Sequence, residues 1–506
     1  MEATAAPIRK RQTMTTLRGI TFPAPDTAES ADAERPTTPT VRGIVTDAVR
    51  GSDAALAARV EGAKNWREAY LAAVRDLTMT TASTPQAAVD IARAGLDSAY
   101  RRMRVVGDDG HETPLAEWAF DDAVEAAHGT YEDRTIDGRK PRVEALAVPY
   151  KGRDLTGHDL ERQLDTWVAK GVIEASCAEA VKRVINHPEW LSLPGHVLAS
   201  VGAGAEMGPT DMLSRWGARI LAVDIPRVSE RLAKFAEAGA GSITLPVRDG
   251  EAGADIVADP AGVAAWFADN AGDDTIVFGM YAYADSGMHI RLTLAADAIG
   301  QYLQRMRPTT VLAYLATPTD AFVVPQEIVD ASRGRWQRHG SRGVAKKGLR
   351  LASRGQLFSE PYPKHSHVAD CLVAQQGPNY AVAKRLQRWR AVAAEADGKR
   401  VSFNVAPATL TRSVTKNPVL RAAYGGAHHF GVEVFAPETS RALMAALLVH
   451  DVMRDDLAPG EAPHRDHPEA LFSDGAAHGG LWRTAWAPRS ALGVAAVLGL
   501  PKVVRR

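Results

Sequence analysis

The sequence predicts an α/β fold: a doubly wound parallel sheet preceded by a mostly helical N-terminal region. Three observations carry that expectation. Between His196 and Pro226 an apolar run is followed by glycines, a helical segment, a second apolar run and an acid (HVLASVGAGAEMGPTDMLSRWGARILAVDIP). Beyond it, short apolar runs alternate with helical stretches as far as Ala316. Ahead of it, apolar residues recur at helical spacing. Strands alternating with helices specify parallel pairing, because each strand must cross back over the sheet before pairing in the same direction.

Length and composition set the bounds. A chain of 506 residues leads one to expect more than one structural unit. With 45% hydrophobic and 24% charged residues, it has enough apolar surface for a sizeable core. Sixty basic residues balance sixty acidic ones, so net charge gives no reason to expect a nucleic-acid partner. Two cysteines, Cys177 and Cys371, are too few for a disulfide framework and fit a reducing compartment. No apolar run reaches the roughly 18 residues of a membrane span. Arg9, Lys10 and Arg11 are not followed by the apolar stretch of a secretory signal. A cytoplasmic protein with no membrane association is therefore expected.

Residues 1–50, rich in Thr, Ala and Pro, read as a disordered arm. Residues 51–190 read as the helical N-terminal region. There Trp66, Tyr70, Ala73 and Val74 mark one face of a helix, and Leu160, Leu164, Trp167 and Val168 mark another. Helices are also expected over 87–105 and 115–127, and an extended piece over 143–148. Acids such as Asp122 and Glu125 are read as solvated faces of these helices. Residues 191–506 form the nucleotide-binding domain. Its further strands are expected over 242–246, 254–258, 275–281 and 311–316, with a long helix over 290–306. Residues 325–376 break the rhythm with a basic, Gly-rich stretch (RGRWQRHGSRGVAKKGLRLASRGQ), read as an insertion that either covers the site and favours anionic groups through Arg335, Arg338 and Arg342 or has a purely structural or oligomer-contact role.

The stretch from His196 carries the first functional expectation. Gly202, Gly204 and Gly208 allow a tight turn and close approach of a phosphate to backbone N–H groups. Asp224, at the tip of the second strand, can accept hydrogen bonds from ribose hydroxyls. The second expectation comes from residues 377–414. Tyr380 and Lys384 are four apart in a segment of helical composition, which puts phenol and ammonium on one face. A nearby cation favours the phenolate, so the pair can pass a proton to or from an alcohol or carbonyl oxygen.

These signals, in this order, resemble the short-chain dehydrogenase/reductase family: a glycine-rich turn after a strand, then NYAVAK, a helical stretch, and KRVSFNVAPATLTRS. The resemblance covers roughly residues 196–450. It implies a Rossmann-type sheet, NAD as cofactor with NADP as the alternative, and interconversion of a carbonyl and an alcohol. Tyr380 would be the acid-base, and Lys384 would hold the cofactor's ribose while lowering the tyrosine pKa. Thr317 would be the third catalytic hydroxyl, with Thr319 as the fallback, and Asp224 would bind the adenosine ribose in a way that favours NAD. The chain departs from the family's pattern in having Pro209 and Thr210 where a last glycine is usual, and a longer span from Thr317 to Tyr380.

Two other classes compete. An S-adenosylmethionine-dependent methyltransferase also uses a strand, Gly-x-Gly, a helix and an acid, but leaves Tyr380 and Lys384 without a role. A nucleotide-binding scaffold without turnover fits the departures. The expected partner is a small-molecule substrate, with a homo-oligomer left open and no nucleic acid. His365 with His367 and His428 with His429 lack the spacing of a metal site and read as surface loop, so no metal is expected.

Overall fold

The computed structural model describes residues 18–25, 35–107, 109–340, 348, 350–363 and 366–504. Eight strands form the central sheet: β1 (Glu132–Asp137), β2 (His196–Val201), β3 (Arg219–Val223), β4 (Ser242–Arg248), β5 (Glu251–Ala252), β6 (Thr275–Met280), β7 (Val311–Ala316) and β8 (Val401–Val405). Six of them are parallel and stand in the order β4-β3-β2-β6-β7-β8. The short β5 and the longer β1 pair antiparallel with β4 at the far edge. The expected α/β architecture with a parallel sheet is therefore present.

Alternation along the strands explains the layers. Val197, Ala199 and Val201 of β2, with Ile276, Phe278 and Met280 of β6, face one hydrophobic core. Leu198 of β2, Val277 of β6, and Val311 and Ala313 of β7 face the other. A period of two sends neighbouring residues to opposite faces, so a sheet with both faces apolar must be covered twice. The first core is closed by the helices Pro260–Asn270, Met288–Met306 and Pro378–Ala396, and the second by those including Gly157–Lys170, Ala175–Asn186 and Pro437–Met453.

The N-terminal region departs from expectation in two ways. Residues 38–50, assigned by composition to a disordered arm, form the helix Thr38–Arg50, which buries Val41, Ile44, Val45 and Val49. The apolar spacing of this short stretch outweighs its Pro- and Thr-rich surroundings. Residues 1–17 and 26–34 lie outside the described residues. Residues 51–190 supply β1 to the central sheet, which composition did not suggest, while the ladder Ala147–Tyr150 with Arg153–Thr156 overlaps the extended piece expected over 143–148. The expected stripe is otherwise buried as read: Trp66, Tyr70, Ala73 and Val74 all lie in the first core. Asp122 and Glu125 are exposed, as solvated faces should be.

The helix Pro378–Ala396 is held by buried charge. Arg385 and Arg388 are each 1% exposed and meet Asp320 and Glu469, at 5% and 4%. Arg385 donates to Asp320 at 2.8 Å and Arg388 to Glu469 at 2.6 Å, and both donate to the Ala321 carbonyl. Burial alone would raise the Asp320 carboxyl, but the two guanidiniums hold it below the usual carboxylate range. Removing one partner of such a network leaves uncompensated buried charge. Asp320→Asn is therefore expected to lower unfolding stability by about 3–5 kcal/mol; urea denaturation that shows less than about 1 kcal/mol would mean that the network is not structural.

Candidate functional site

Strand order reverses between β2 and β6, which leave the sheet toward opposite sides. In open parallel sheets such a point opens a crevice at the carboxyl ends of the strands. The residues following β2 and β6 approach closely there. Gly202 has φ +72°, and a Cβ on it would lie 2.3 Å from the Ala282 backbone. A Cβ on Gly204 would lie 2.2 Å from Val228, whereas Gly208 has no atom nearer than 3.4 Å. Gly202 and Gly204 are thus required by close approach, and Gly208 is not.

Asp224 reaches across to this turn. Its carboxylate accepts from the Gly204 amide at 3.0 Å and from the Ile225 amide at 2.8 Å. Burial raises its pKa against these two bonds. A carboxylate has about four acceptor positions, so two amides leave room for ribose hydroxyls. The amides of Gly202 and Ala203 donate to the Val223 carbonyl, and those of Ala205 and Gly208 close turns within the loop. Those of Glu206 and Met207 have no partner among the described residues. A bound anion would therefore meet the loop after the glycines, not the glycines themselves.

The second group lies past β6 and β7. Tyr380 and Lys384 stand one turn apart on the helix Pro378–Ala396, as their spacing predicts. The Tyr380 ring stacks on His289, with centroids 5.4 Å apart and planes at 10°, and meets Tyr283 at 6.0 Å. Its hydroxyl has no hydrogen bond among the described residues. The Lys384 ammonium donates to the Leu315 carbonyl at the end of β7, at 3.2 Å, and to Gln387 at 2.9 Å. Thr317 and Thr319 share a hydrogen bond of 2.8 Å, and Gln376 donates to Thr319. Tyr283 is one residue beyond Ala282, so the tyrosine group adjoins the crevice where the glycine turn stands.

One electrostatic expectation is overturned. Lys384 was expected to lower the tyrosine pKa, yet Tyr380 is raised, by burial first and then by Asp320, Tyr283 and Tyr424. The reason is the lysine's own environment. Burial brings the ammonium down to about 8, it lies 6.0 Å from the phenol ring centroid, and its hydrogen bonds go to Leu315 and Gln387. In this state Tyr380 is a neutral phenol at physiological pH.

His289 is the residue that sequence reasoning missed. It is 1% exposed at the start of the helix Met288–Met306. Its Nδ1 accepts from the Ala284 amide at 3.4 Å, which places the proton of the neutral ring on Nε2, and Nε2 has no partner among the described residues. Thr293 Oγ1, one turn along, and Gln387 Nε2 are likewise buried and unpartnered. A lone histidine in MHIRL carries no periodic or spacing signal, so only its surroundings mark it.

The described residues of the insertion over 325–376 favour its structural reading. Arg335 donates to the carbonyls of Lys170 and Arg483, both at 2.9 Å, so it ties a helix end in place and is not free for a substrate anion. Tyr362 is buried and donates to the Trp482 carbonyl at 2.7 Å. Arg342 and His365 lie outside the described residues. Among the described residues no group of His, Cys, Asp and Glu is placed to hold a metal ion. A separate cavity of about 400 Å³ lies beyond β8, lined by residues including Arg183, Arg465, Asp451 and Asp474. Arg183 and Arg465 are already paired with carboxylates there.

No known protein family, curated protein or solved structure matches the chain.

Burial, and then Lys384, lowers the His289 pKa from 6.5 to about 3. Between those values the unfolded chain binds a proton that the folded chain refuses, so stability falls as pH drops through this window. His289→Phe keeps an aromatic ring against Tyr380 and removes that loss. Its stability relative to wild type should therefore rise as pH falls from 7 to about 4; parallel pH profiles in urea denaturation would rule out a buried neutral imidazole.

Proposed function

We propose that the protein is an NAD(P)-dependent oxidoreductase that interconverts a carbonyl and an alcohol on a small molecule, using a Rossmann-type sheet. The observation that carries this reading is the placement of Tyr380, Lys384 and His289 beside the crevice that the Gly202 turn borders. The parallel strand order supports it, because it is the order of dinucleotide-binding sheets. The resemblance of NYAVAK and KRVSFNVAP to the short-chain dehydrogenases supports it independently.

The residues present fit the cofactor at two places. Asp224 retains acceptor capacity for the adenosine ribose, and the Glu206 and Met207 amides are open to a diphosphate. The bound nicotinamide would supply or accept hydride. Tyr380, held neutral by burial, would donate its phenolic proton to the substrate oxygen as that oxygen gains negative charge. His289, with its proton on Nε2, would donate a hydrogen bond to the same oxygen or to a neighbouring polar group. Lys384 would hold the ribose and return positive charge to the phenol once its own donors turn from Leu315 and Gln387. Thr317 would orient the reacting oxygen.

A second reading has one observation in its favour. The amides of Gly202, Ala203 and Gly204 are all occupied within the protein, which suits a nucleoside ligand that carries no phosphate. S-adenosylmethionine is such a ligand, and a methyltransferase would use the same acid.

Calorimetric titration with NADH, NADPH and S-adenosylmethionine separates the two. Binding of NADH, tighter than NADPH because Asp224 repels a 2′-phosphate, is the expected result. Binding of S-adenosylmethionine alone would replace the oxidoreductase with the methyltransferase. Once a substrate is found, Tyr380→Phe should reduce turnover by about 10²–10⁴-fold while leaving cofactor affinity unchanged. Lys384→Met should reduce both, and a variant that loses neither would take lysine out of the site.

A further inference from the structure

The cavity beyond β8 is walled by the helices Ala175–Asn186 and Pro437–Met453 and by the segment that carries Arg465, Leu471 and Asp474. At about 400 Å³ it falls within the roughly 300–1,000 Å³ of small-molecule sites. None of the residues placed at the crevice lines it.

Its inner wall presents acceptors that lack donors. Asn404 is 4% exposed, and its Nδ2 donates to the Asp451 carboxylate and to Ser402 Oγ, both at 3.0 Å. An ionised carboxylate only accepts, so that bond fixes the orientation of the amide and leaves Oδ1 free to accept. Oδ1 has no partner among the described residues. Gly475, another lining residue, has no side chain to cover it, and a Cβ there would lie 3.7 Å from that oxygen. Asp451 accepts from Ser402 at 2.7 Å, Asn404 at 3.0 Å and His450 at 3.1 Å, which leaves one of about four acceptor positions open. Burial alone would raise its carboxyl, but His450, Ser402 and Asn404 hold it below the usual range, so it stays ionised.

The mouth has the opposite sign. Arg183 and Arg454 line it, and both reach the exposed Asp456, at 3.4 and 2.9 Å. Pairs with exposed carboxylates are weak and exchange readily for a ligand carboxylate. Arg465, by contrast, is committed to Glu395 and Asp474, and Arg400 to the carbonyls of Val452, Ala458 and Glu461. Leu447 and Leu471, both buried, supply apolar wall between the two ends.

We propose that this cavity binds an α-amino acid with an apolar side chain, its ammonium on Asn404 Oδ1 and Asp451 and its carboxylate on Arg183 and Arg454. A simple anion fits less well, because it leaves Asn404 Oδ1 without a donor and meets the Asp451 charge. A metal ion fits less well too, since among the described residues no group of His, Cys, Asp and Glu is placed to hold one. The site stands whether or not the crevice turns over a substrate.

The test is calorimetric titration of the full chain with L-leucine, with isocaproate, which lacks the ammonium, and with isoamylamine, which lacks the carboxylate. Saturable binding of leucine is expected, with each of the other two at least about tenfold weaker. Asn404→Leu keeps the shape of the side chain and removes the acceptor, so leucine should bind about 10–100-fold more weakly. Arg183→Gln with Arg454→Gln should weaken leucine by about as much and leave isoamylamine no weaker than in the wild type. Circular dichroism checks the fold of both variants. If Asn404→Leu fails to fold, the arginine pair, at the partly exposed mouth, decides alone. No saturable heat with leucine at millimolar concentration, isocaproate binding as tightly as leucine, or folded variants that bind leucine like wild type would overturn the proposal.

Discussion

Arg385 and Arg388 lie on the buried face of the helix that carries Tyr380 and Lys384, and their charge cannot be left without partners in the core. Asp320, four residues beyond β7, and Glu469, from the C-terminal segment, supply those partners. The network therefore joins three parts of the chain that are distant in sequence. It also fixes the height and rotation of the helix against the sheet, because a guanidinium fork tolerates little displacement from its carboxylate. Tyr380 is five residues before Arg385, so its ring is set by the same bonds. A second pairing works in the same way on the outer side. Arg390 grips Asp297 with two bonds of 2.6 and 2.9 Å, and Tyr100 from the N-terminal helices donates to the same carboxylate.

These constraints bear directly on the electrostatics of the crevice. Beside the two buried arginines, His289 is fully buried and Tyr380 and Lys384 are half-buried. Each of the three is shifted toward its neutral form, the lysine and histidine downward and the tyrosine upward. His289 and Tyr380 are held neutral at physiological pH, whereas Lys384, brought down only to about 8, remains largely an ammonium. A neutral phenol suits the transfer of a proton to a developing alkoxide.

Much of the framework was legible from residue spacing. The runs at β2, β3, β6 and β7 are apolar on both faces, as a sheet covered twice requires, and Tyr380 and Lys384 lie on a helix as their separation implies. The short helix Thr38–Arg50 was not legible, because its Pro- and Thr-rich neighbourhood masked an apolar period. Nor was β1, whose residues EDRTID are polar and exposed apart from Ile136. Its pairing comes from β4 offering a free edge, and an edge belongs to the sheet as a whole.

Local sequence thus determined the elements, their alternation, and the need for glycine at 202, where β2 must turn sharply. Tertiary structure alone decided which side chains meet. That Asp224 answers the Gly204 amide, that Lys384 faces Leu315 and leaves Tyr380 as a neutral phenol, and that His289 is buried with an Nε2–H that has no partner among the described residues all follow from packing. The physical reason is that periodicity records which face of an element is apolar. Hydrogen-bond partners and desolvation depend on groups brought near from elsewhere in the chain.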